Sequence, residues 1–386
     1  MPTQPALPKT FLQLLRPRLP HMLHTLQALV THESPSTEKE PTDFCCKFLA
    51  DLWLNRKALV SIVTQKHRGD HLRIVWPSKT PRPKSQLLVL GHYDTVYPTG
   101  TLAKRPISQS SGKFFGPGTF DMKAGIVQAL FALEALQKSA IPIQKSIVFL
   151  WTSDEEIGSE SSRKLIESEA LRSDAVFVLE PALGPRGLVK TSRKGVGEAQ
   201  LIVHGRASHA GLAPEKGVNA IHELAAQIAR IEKWNDHRRG VTINADIIAG
   251  GSRANVIADH AKATLDLRAW KISDITALEN RLYGLKPVHR GAKLEIHGGF
   301  DRPPLERQHS VALYTRAKSL AKQMGLSLGE AAAGGGSDGN LTAALGIPTL
   351  DGLGAVGDGA HSPDEHIIIK SLPERAALVA ALLATL

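Results

Sequence analysis

The chain has 386 residues, 42% hydrophobic and 22% charged, an ordinary globular composition that suggests two or three domains at about 150 residues each. No run approaches ~18 apolar residues, so no membrane span is expected; Met1 to Val30 is broken by Pro8, Arg16, Pro17, Arg18, Pro20 and His21 and lacks a secretory leader's apolar core, leaving the cytoplasm as the default compartment. Lys and Arg exceed Asp and Glu by 47 − 37 = 10, but aromatics are only 5% and no basic run interleaves with them, which argues against a nucleic-acid partner, and the adjacent Cys45 and Cys46 build no disulfide framework.

Residues 10–55 read as helical. The loop Ser34-Pro35-Ser36-Thr37 offers Ser36 or Thr37 as N-cap of the helix that follows. Lys79 to Ser85, with two prolines, reads as a second loop. Leu87 to Leu90, Ile147 to Trp151 and Ala175 to Leu179 are short, non-alternating apolar runs, the mark of strands buried on both faces. Between the first two, Ala124 to Gln137 places Ile126, Leu130, Leu133 and Leu136 on one helical face. Strand, helix, strand in this order predicts a covered, largely parallel sheet of an α/β domain.

The texture changes near Ser192. Val241, Ile243, Ala245 and Ile247 alternate with other residues, as do Ala263, Leu265, Leu267 and Ala269, which predicts a sheet with one wet face. Ile221, Leu224, Ala225 and Ile228 predict an amphipathic helix before them. Residues 193–305 therefore read as a smaller α+β insertion between 1–192 and 306–386. Helical patterns resume at 309–324 and 338–345, and a last helix carries Ser371 and Glu374 as a capping box.

Five polar clusters fall at the ends of the apolar runs or in Gly-rich loops, where such sheets gather functional groups. In Gly91-His92-Tyr93-Asp94, His92 and Asp94 share a face of an extended backbone, so His92 could bind a metal while Asp94 orients its ring; a surface pair gives the same text. Asp121 precedes a helix as a ligand or an N-cap would. Asp154-Glu155-Glu156 follows a buried strand, and adjacent Glu155 and Glu156 point different ways, so one can ligate while the other handles a proton. Glu180-Pro181 ends another strand, and His361-Ser362 lies in a Gly-rich loop. Gly334-Gly335-Gly336-Ser337-Asp338 could seat an anion, but no Lys follows in phosphate-loop register.

Taken together, Gly91 to Val96, Asp121 to Gly125, Glu155 to Gly158, Glu180-Pro181, Ala207-Ser208-His209-Ala210-Gly211 and His361-Ser362 resemble, in order, the motifs of the co-catalytic zinc carboxypeptidase and aminoacylase family, nearest to its glutamate carboxypeptidase (carboxypeptidase G type) branch. The resemblance implies a catalytic domain of zinc-exopeptidase type interrupted by a lid that often carries the dimer interface. It implies two Zn²⁺ per chain, with Co²⁺ or Mn²⁺ able to substitute: His92 and Glu180 on one ion, Glu156 and His361 on the other, Asp121 on both. Glu155 would be the general base, Asp94 the partner of His92, and His209 the donor to the oxyanion. Asn255, Arg268 and, more weakly, Arg302 would contact the substrate. The implied reaction is hydrolysis of the amide bond of a C-terminal or N-acylated amino acid in a small peptide or N-acyl amino acid. The alternatives are an N-acyl-amino-acid deacylase of the acetylornithine deacetylase kind and, in another class, an inert metal- or nucleic-acid-binding protein.

Overall fold

The computed structural model describes residues 7–78, 85–139, 141 and 143–386; the loop expected at 79–85 lies outside them but for Ser85. Two compact units result. One comprises the chain up to Thr191 with Arg307–Ala332 and Ser337–Leu386; the other is Ser192–Glu306 with Ala333–Gly336.

The first unit opens with α1 (Leu7–Leu15), α2 (Leu19–Thr31) and α3 (Lys39–Leu54), then β1 (Leu59–Val63), β2 (His71–Trp76) and β3 (Gln86–His92). There follow α4 (Thr101–Lys104), β4 (Ser108–Ser110), β5 (Lys113–Phe115), α5 (Ala124–Ser139), β6 (Ser146–Thr152), α6 (Arg163–Ala170), β7 (Ser173–Val178) and β8 (Val189–Arg193). The second unit contains β9 (Gly195–His204), α7 (Ala220–Glu232), β10 (Thr242–Gly250), β11 (His260–Ala269), α8 (Ile272–Tyr283) and β12 (Lys293–Arg302). The chain returns through α9 (Val311–Gln323), β13 (Glu330–Ala333), α10 (Asp338–Ala344), β14 (Thr349–Leu350), β15 (Gly357–Asp358), β16 (His366–Ile368) and α11 (Ser371–Thr385).

The central sheet has the order β1-β2-β6-β3-β7-β14. It is parallel across β6-β3-β7-β14 but antiparallel at β2-β6 and β1-β2, so the largely parallel sheet expected is a mixed one. The apolar runs supply both faces. Leu87, Val89, Ile147, Phe149, Trp151, Ala175 and Phe177 join a core layer with α1, α2, α5 and α11. Leu88, Leu90, Val148, Leu150, Val176 and Val178 point the other way, against α6 and Leu341 of α10. The alternation is therefore present but invisible in hydropathy, because both faces are dry. Burying one such side chain contributes about 1.5–3 kcal/mol.

Three local expectations are corrected. Glu38, not Ser36 or Thr37, occupies the N-cap of α3, because the Ser36 hydroxyl is spent on Asp94 at 2.6 Å. The Ser371–Glu374 capping box does not form; Ser371 Oγ donates to the Ile368 carbonyl, while Ser337 and Asn340 make a true capping box at α10. Helix α5 is buried almost all round rather than on one face, since α11 covers the side turned away from the sheet.

In the second unit, an antiparallel sheet of order β10-β11-β9-β12 buries Leu201, Val203, Leu265 and Leu267 against α7 and α8. The buried face of α7 is Ala220, Glu223, Leu224, Gln227 and Ile231, rotated from the stripe expected, so that Ile221 is exposed. The reason is polar: Glu223 accepts from the Val288 and His289 N–H groups at 2.9 and 2.7 Å, and this pulls it inward.

Candidate active site

Strand register builds the first part of the site. Leu90 pairs with Val178 in parallel and His92 is level with Thr152, so His92 and Glu180 continue the side-chain series 88-90 and 176-178 onto one side of the sheet. They emerge together beyond the carboxyl ends of the parallel strands, as expected for such a sheet. Glu155 and Glu156 lie in the turn after the neighbouring β6. Asp121 comes from the segment between β5 and α5, and His361 from the loop between β15 and β16.

Asp121 is not an N-cap. Its backbone is extended (φ −113°, ψ 97°) and α5 begins at Ala124. Gly118, at φ +71°, makes the turn before it, and Gly125 has no side chain because a Cβ there would lie 2.3 Å from the Leu179 carbonyl oxygen, one residue before Glu180. The buried Lys123 ammonium anchors the start of α5 by donating to the His32 and Leu29 carbonyls at the end of α2.

Among the described residues, two groups bring potential ligand atoms within 4.8 Å of one another: His92, Asp121 and Glu180; and Asp121, Glu156 and His361. His92 Nε2 is 3.3 Å from Asp121 Oδ1 and 3.4 Å from Glu180 Oε1; His361 Nε2 is 3.1 Å from Glu156 Oε2 and 3.5 Å from Asp121 Oδ2. Ligand atoms about 2.0–2.1 Å from a tetrahedral ion stand about 3.3–3.4 Å apart, so these separations match the edges of two ligand polyhedra sharing Asp121. Asp121 Oδ1 is buried and makes no well-formed hydrogen bond, a costly state that a cation would relieve. His and carboxylate donors without Cys suit Zn²⁺.

The surroundings aim the rings. His92, 1% exposed, turns Nδ1 toward Asp94, 3.1 Å from its carbonyl and 3.4 Å from Oδ1, which leaves Nε2 facing Asp121 and Glu180. Asp94 also accepts from the Glu155 and Glu156 N–H groups at 3.4 and 3.3 Å, so it ties the ends of β3 and β6 together. Sequence reading missed Ser36 in this network, because its Ser-Pro-Ser text is also that of a helix cap.

The ion-free electrostatics follow from this crowding. Burial pulls His92 down, but Asp121, Asp94 and Glu180 override it and hold it well above the ordinary imidazole value. Hydrogen bonds to Asp121 and Glu156 raise His361 to about 10. Burial pushes Glu156 up to about 6 against the pull of His361, and Asp121, despite its burial, is held far below the usual carboxylate range by the two histidines. The imidazolium groups occupy the electrostatic role of cations between carboxylates.

A cleft of about 200 Å³ borders Glu156, lined by Pro35, Thr95, Val96, Pro98 and Ile157 among others. The remaining expected site residues belong to the second unit. His209 Nδ1 accepts from the Gly211 and Leu212 N–H groups, both at 3.1 Å, which places the proton of the neutral ring on Nε2. The Asn255 carbonyl accepts from Ala210 N–H at 3.0 Å, joining the two motifs. Arg268 is engaged by Asp266 through Nε at 3.0 Å and Nη2 at 2.7 Å, and Arg302 is buried near the end of β12. His92, Asp121, Glu156, Glu180 and His361 are thus brought together with Asp94 and Glu155, whereas on the other unit His209 and Asn255 stand beyond one end of the sheet and Arg268 and Arg302 near its opposite end.

Comparison with known proteins gives a consistent picture. The profile of peptidase family M20/M25/M40 matches residues 88–385. Carboxypeptidase G2 of a Pseudomonas species is 32% identical over 377 residues, 94% of this chain and 89% of that protein. Succinyl-diaminopimelate desuccinylase of Paraburkholderia xenovorans is 28% identical over 298 residues, covering 73% of this chain and 78% of that one. The solved structure of the aminopeptidase PepT from Bacillus cereus has the same fold, with a TM-score of 0.78 at 23% identity over 95% of this chain and 98% of that one. An inert binding protein is set aside: the chain belongs to peptidase family M20/M25/M40 and is a metal-dependent hydrolase of peptide or amide bonds.

Proposed function

We propose that His92, Asp121 and Glu180 hold one divalent ion, that Asp121, Glu156 and His361 hold a second, and that the protein cleaves the amide bond of a C-terminal or N-acylated amino acid as a glutamate carboxypeptidase does. The observation that carries this reading is the pair of ligand groups sharing Asp121, with Glu155 beside them in the turn after β6. The ions, Zn²⁺ by donor type, would supply Lewis-acid polarisation of a carbonyl and an activated water. Glu155 accepts the proton of the attacking water at its carboxylate and returns it to the departing amine nitrogen. Asp94 keeps the His92 ring turned by holding Nδ1–H. His209 donates Nε2–H to the oxygen of the scissile carbonyl as charge develops there. Asn255, Arg268 and Arg302 bind the substrate, with guanidinium groups suited to a carboxylate.

The second unit acts as a lid and as a surface for self-association. The latter is supported by the sheet edge at β10, where Ile247 and Ile248 are 64% and 66% exposed, an uncovered apolar edge of the kind that pairs with another chain. A deacylase of the desuccinylase kind is the second reading, supported by the 28% identity to that enzyme.

The test is hydrolysis by metal-loaded protein of N-acyl glutamates, dipeptides, acetylornithine and N-succinyl-diaminopimelate. Release of C-terminal glutamate is expected, with Glu155→Gln lowering kcat by ~10²–10⁴-fold while both ions stay bound. Preference for the succinyl substrate selects the second reading. Near wild-type turnover in Glu155→Gln removes that residue as the base.

A further inference from the structure

Glu365 stands four residues after His361, at the exit of the loop joining β15 and β16, and is 1% exposed. Its oxygens accept main-chain N–H groups from the segment leading to Asp121: Gly118 at 2.9 Å, Phe120 at 2.8 Å and Asp121 itself at 3.0 Å. The Tyr97 hydroxyl lies beside it as well, its one proton shared between this carboxylate and the Ser362 carbonyl. A buried carboxylate is costly unless its lone pairs are taken, and this one is taken almost wholly by a single short stretch of backbone. Nothing in the proposed reaction uses it.

What Glu365 does geometrically is join two loops that each deliver one side chain to the same ion group. Asp121 arrives after β5 and His361 between β15 and β16; β16 pairs with both β5 and β15, which brings the two loops side by side. The His361 loop is itself held. Tyr97 OH and Arg105 Nη1 donate to the Ser362 carbonyl at 3.1 and 3.0 Å, and the Arg105 guanidinium lies 4.4 Å over the Tyr97 ring. His361 has φ +61°, a left-handed conformation that a residue with a Cβ keeps only when its surroundings impose it. By contrast His92 is the last residue of the paired strand β3, and Glu180 follows the end of its neighbour β7 by two residues.

We propose that Glu365 is a positioning residue of the ion site, setting the separation of Asp121 and His361 so that the group Asp121–Glu156–His361 is formed before an ion arrives. The inference rests on the two-ion reading above. Partners that orient ligands from outside typically govern 10–100-fold in metal affinity.

The experiment is a Co²⁺ titration of the ion-free full chain, followed by visible absorption and by chelator competition, in the parent, Glu365→Gln, Tyr97→Phe and His361→Ala. His361→Ala identifies which binding step belongs to the second group. Glu365→Gln keeps the size but sets an amide NH₂ against N–H donors. It is expected to weaken that step ~10–100-fold and alter its Co²⁺ spectrum, with a smaller effect on the other step. Tyr97→Phe, a milder change, is expected to weaken the same step several-fold. A merely structural Glu365 would lower the melting temperature and leave both affinities and the spectrum at parent values; that result overturns the proposal. Should Glu365→Gln not fold, parent-like binding by Tyr97→Phe overturns it instead. A parent that takes up no Co²⁺ refutes the two-ion reading and the proposal with it, whereas a parent that binds two ions alongside unchanged variants refutes only the positioning role.

Discussion

Uptake of the second ion should be proton-coupled, and the perturbation that exposes this is pH. In the ion-free chain His361 Nε2 lies 3.1 Å from Glu156 Oε2 and 3.5 Å from Asp121 Oδ2, and these partners raise its pKa to about 10. A ligand imidazole must be neutral, so the ion has to displace that proton. From pH 7 to about 10 is three units, a ceiling of about 4 kcal/mol. The side chain is 53% exposed, and solvent screening cuts the ceiling to about 2 kcal/mol. Either figure leaves the ring protonated through pH 8. The apparent affinity for the ion of the Asp121–Glu156–His361 group should therefore rise about tenfold per pH unit, or about 100-fold from pH 6 to pH 8. Below about 6 the Glu156 carboxyl is protonated as well, and the dependence should steepen toward a hundredfold per unit. The ion-free fold should show the opposite trend. A histidine raised above its unfolded value of about 6.5 stabilises fully below that pH, and the contribution fades as pH climbs toward the folded value. Chelator-competition titrations between pH 5.5 and 8 at constant ionic strength measure the first trend, and melting curves of the ion-free chain the second. Any further proton released with the ion only steepens the line. A dissociation constant for that step that stays within threefold from pH 6 to 8 would refute the reasoning.

Two further outcomes are expected. Asp121→Ala should weaken both ions because its two oxygens face both groups, whereas His361→Ala should weaken one by well over the ~10–100-fold lost with an outer partner; elemental analysis after dialysis against graded metal buffers distinguishes them, and equal loss of both ions in His361→Ala would contradict the division of ligands. His209→Ala should lower kcat by ~10²–10³-fold with metal content intact, as loss of one oxyanion donor does, and unchanged turnover would take His209 out of the mechanism.

The residues of the site were legible one by one because chemistry limits which side chains can hold a cation or move a proton, and because these stand where apolar runs end. The three central strands were legible for the same reason: dry on both faces, they need unbroken apolar text. Hydropathy could not rank the alternation within those runs, so the placing of His92 and Glu180 on one side of the sheet waited for the register of β3 with β7. Nor could it show that β2 alone runs against the other strands of its sheet, since hydropathy carries no strand direction. Short-range polar signals misled wherever a distant partner outbid a local one. Ser36 bonds Asp94 across 58 positions rather than capping α3, and Glu223 turned α7 by reaching residues 288 and 289. Glu365 lies at the far end of this scale: its main-chain donors are 244 to 247 residues away, and nothing local in Ser362-Pro363-Asp364-Glu365 marks it. Composition and motif thus determined which atoms are available for the chemistry, because that depends on side-chain type alone. Which of them meet, at what separation and in what protonation state, was decided by tertiary contacts, because distance, desolvation and charge coupling exist only once remote segments are packed together.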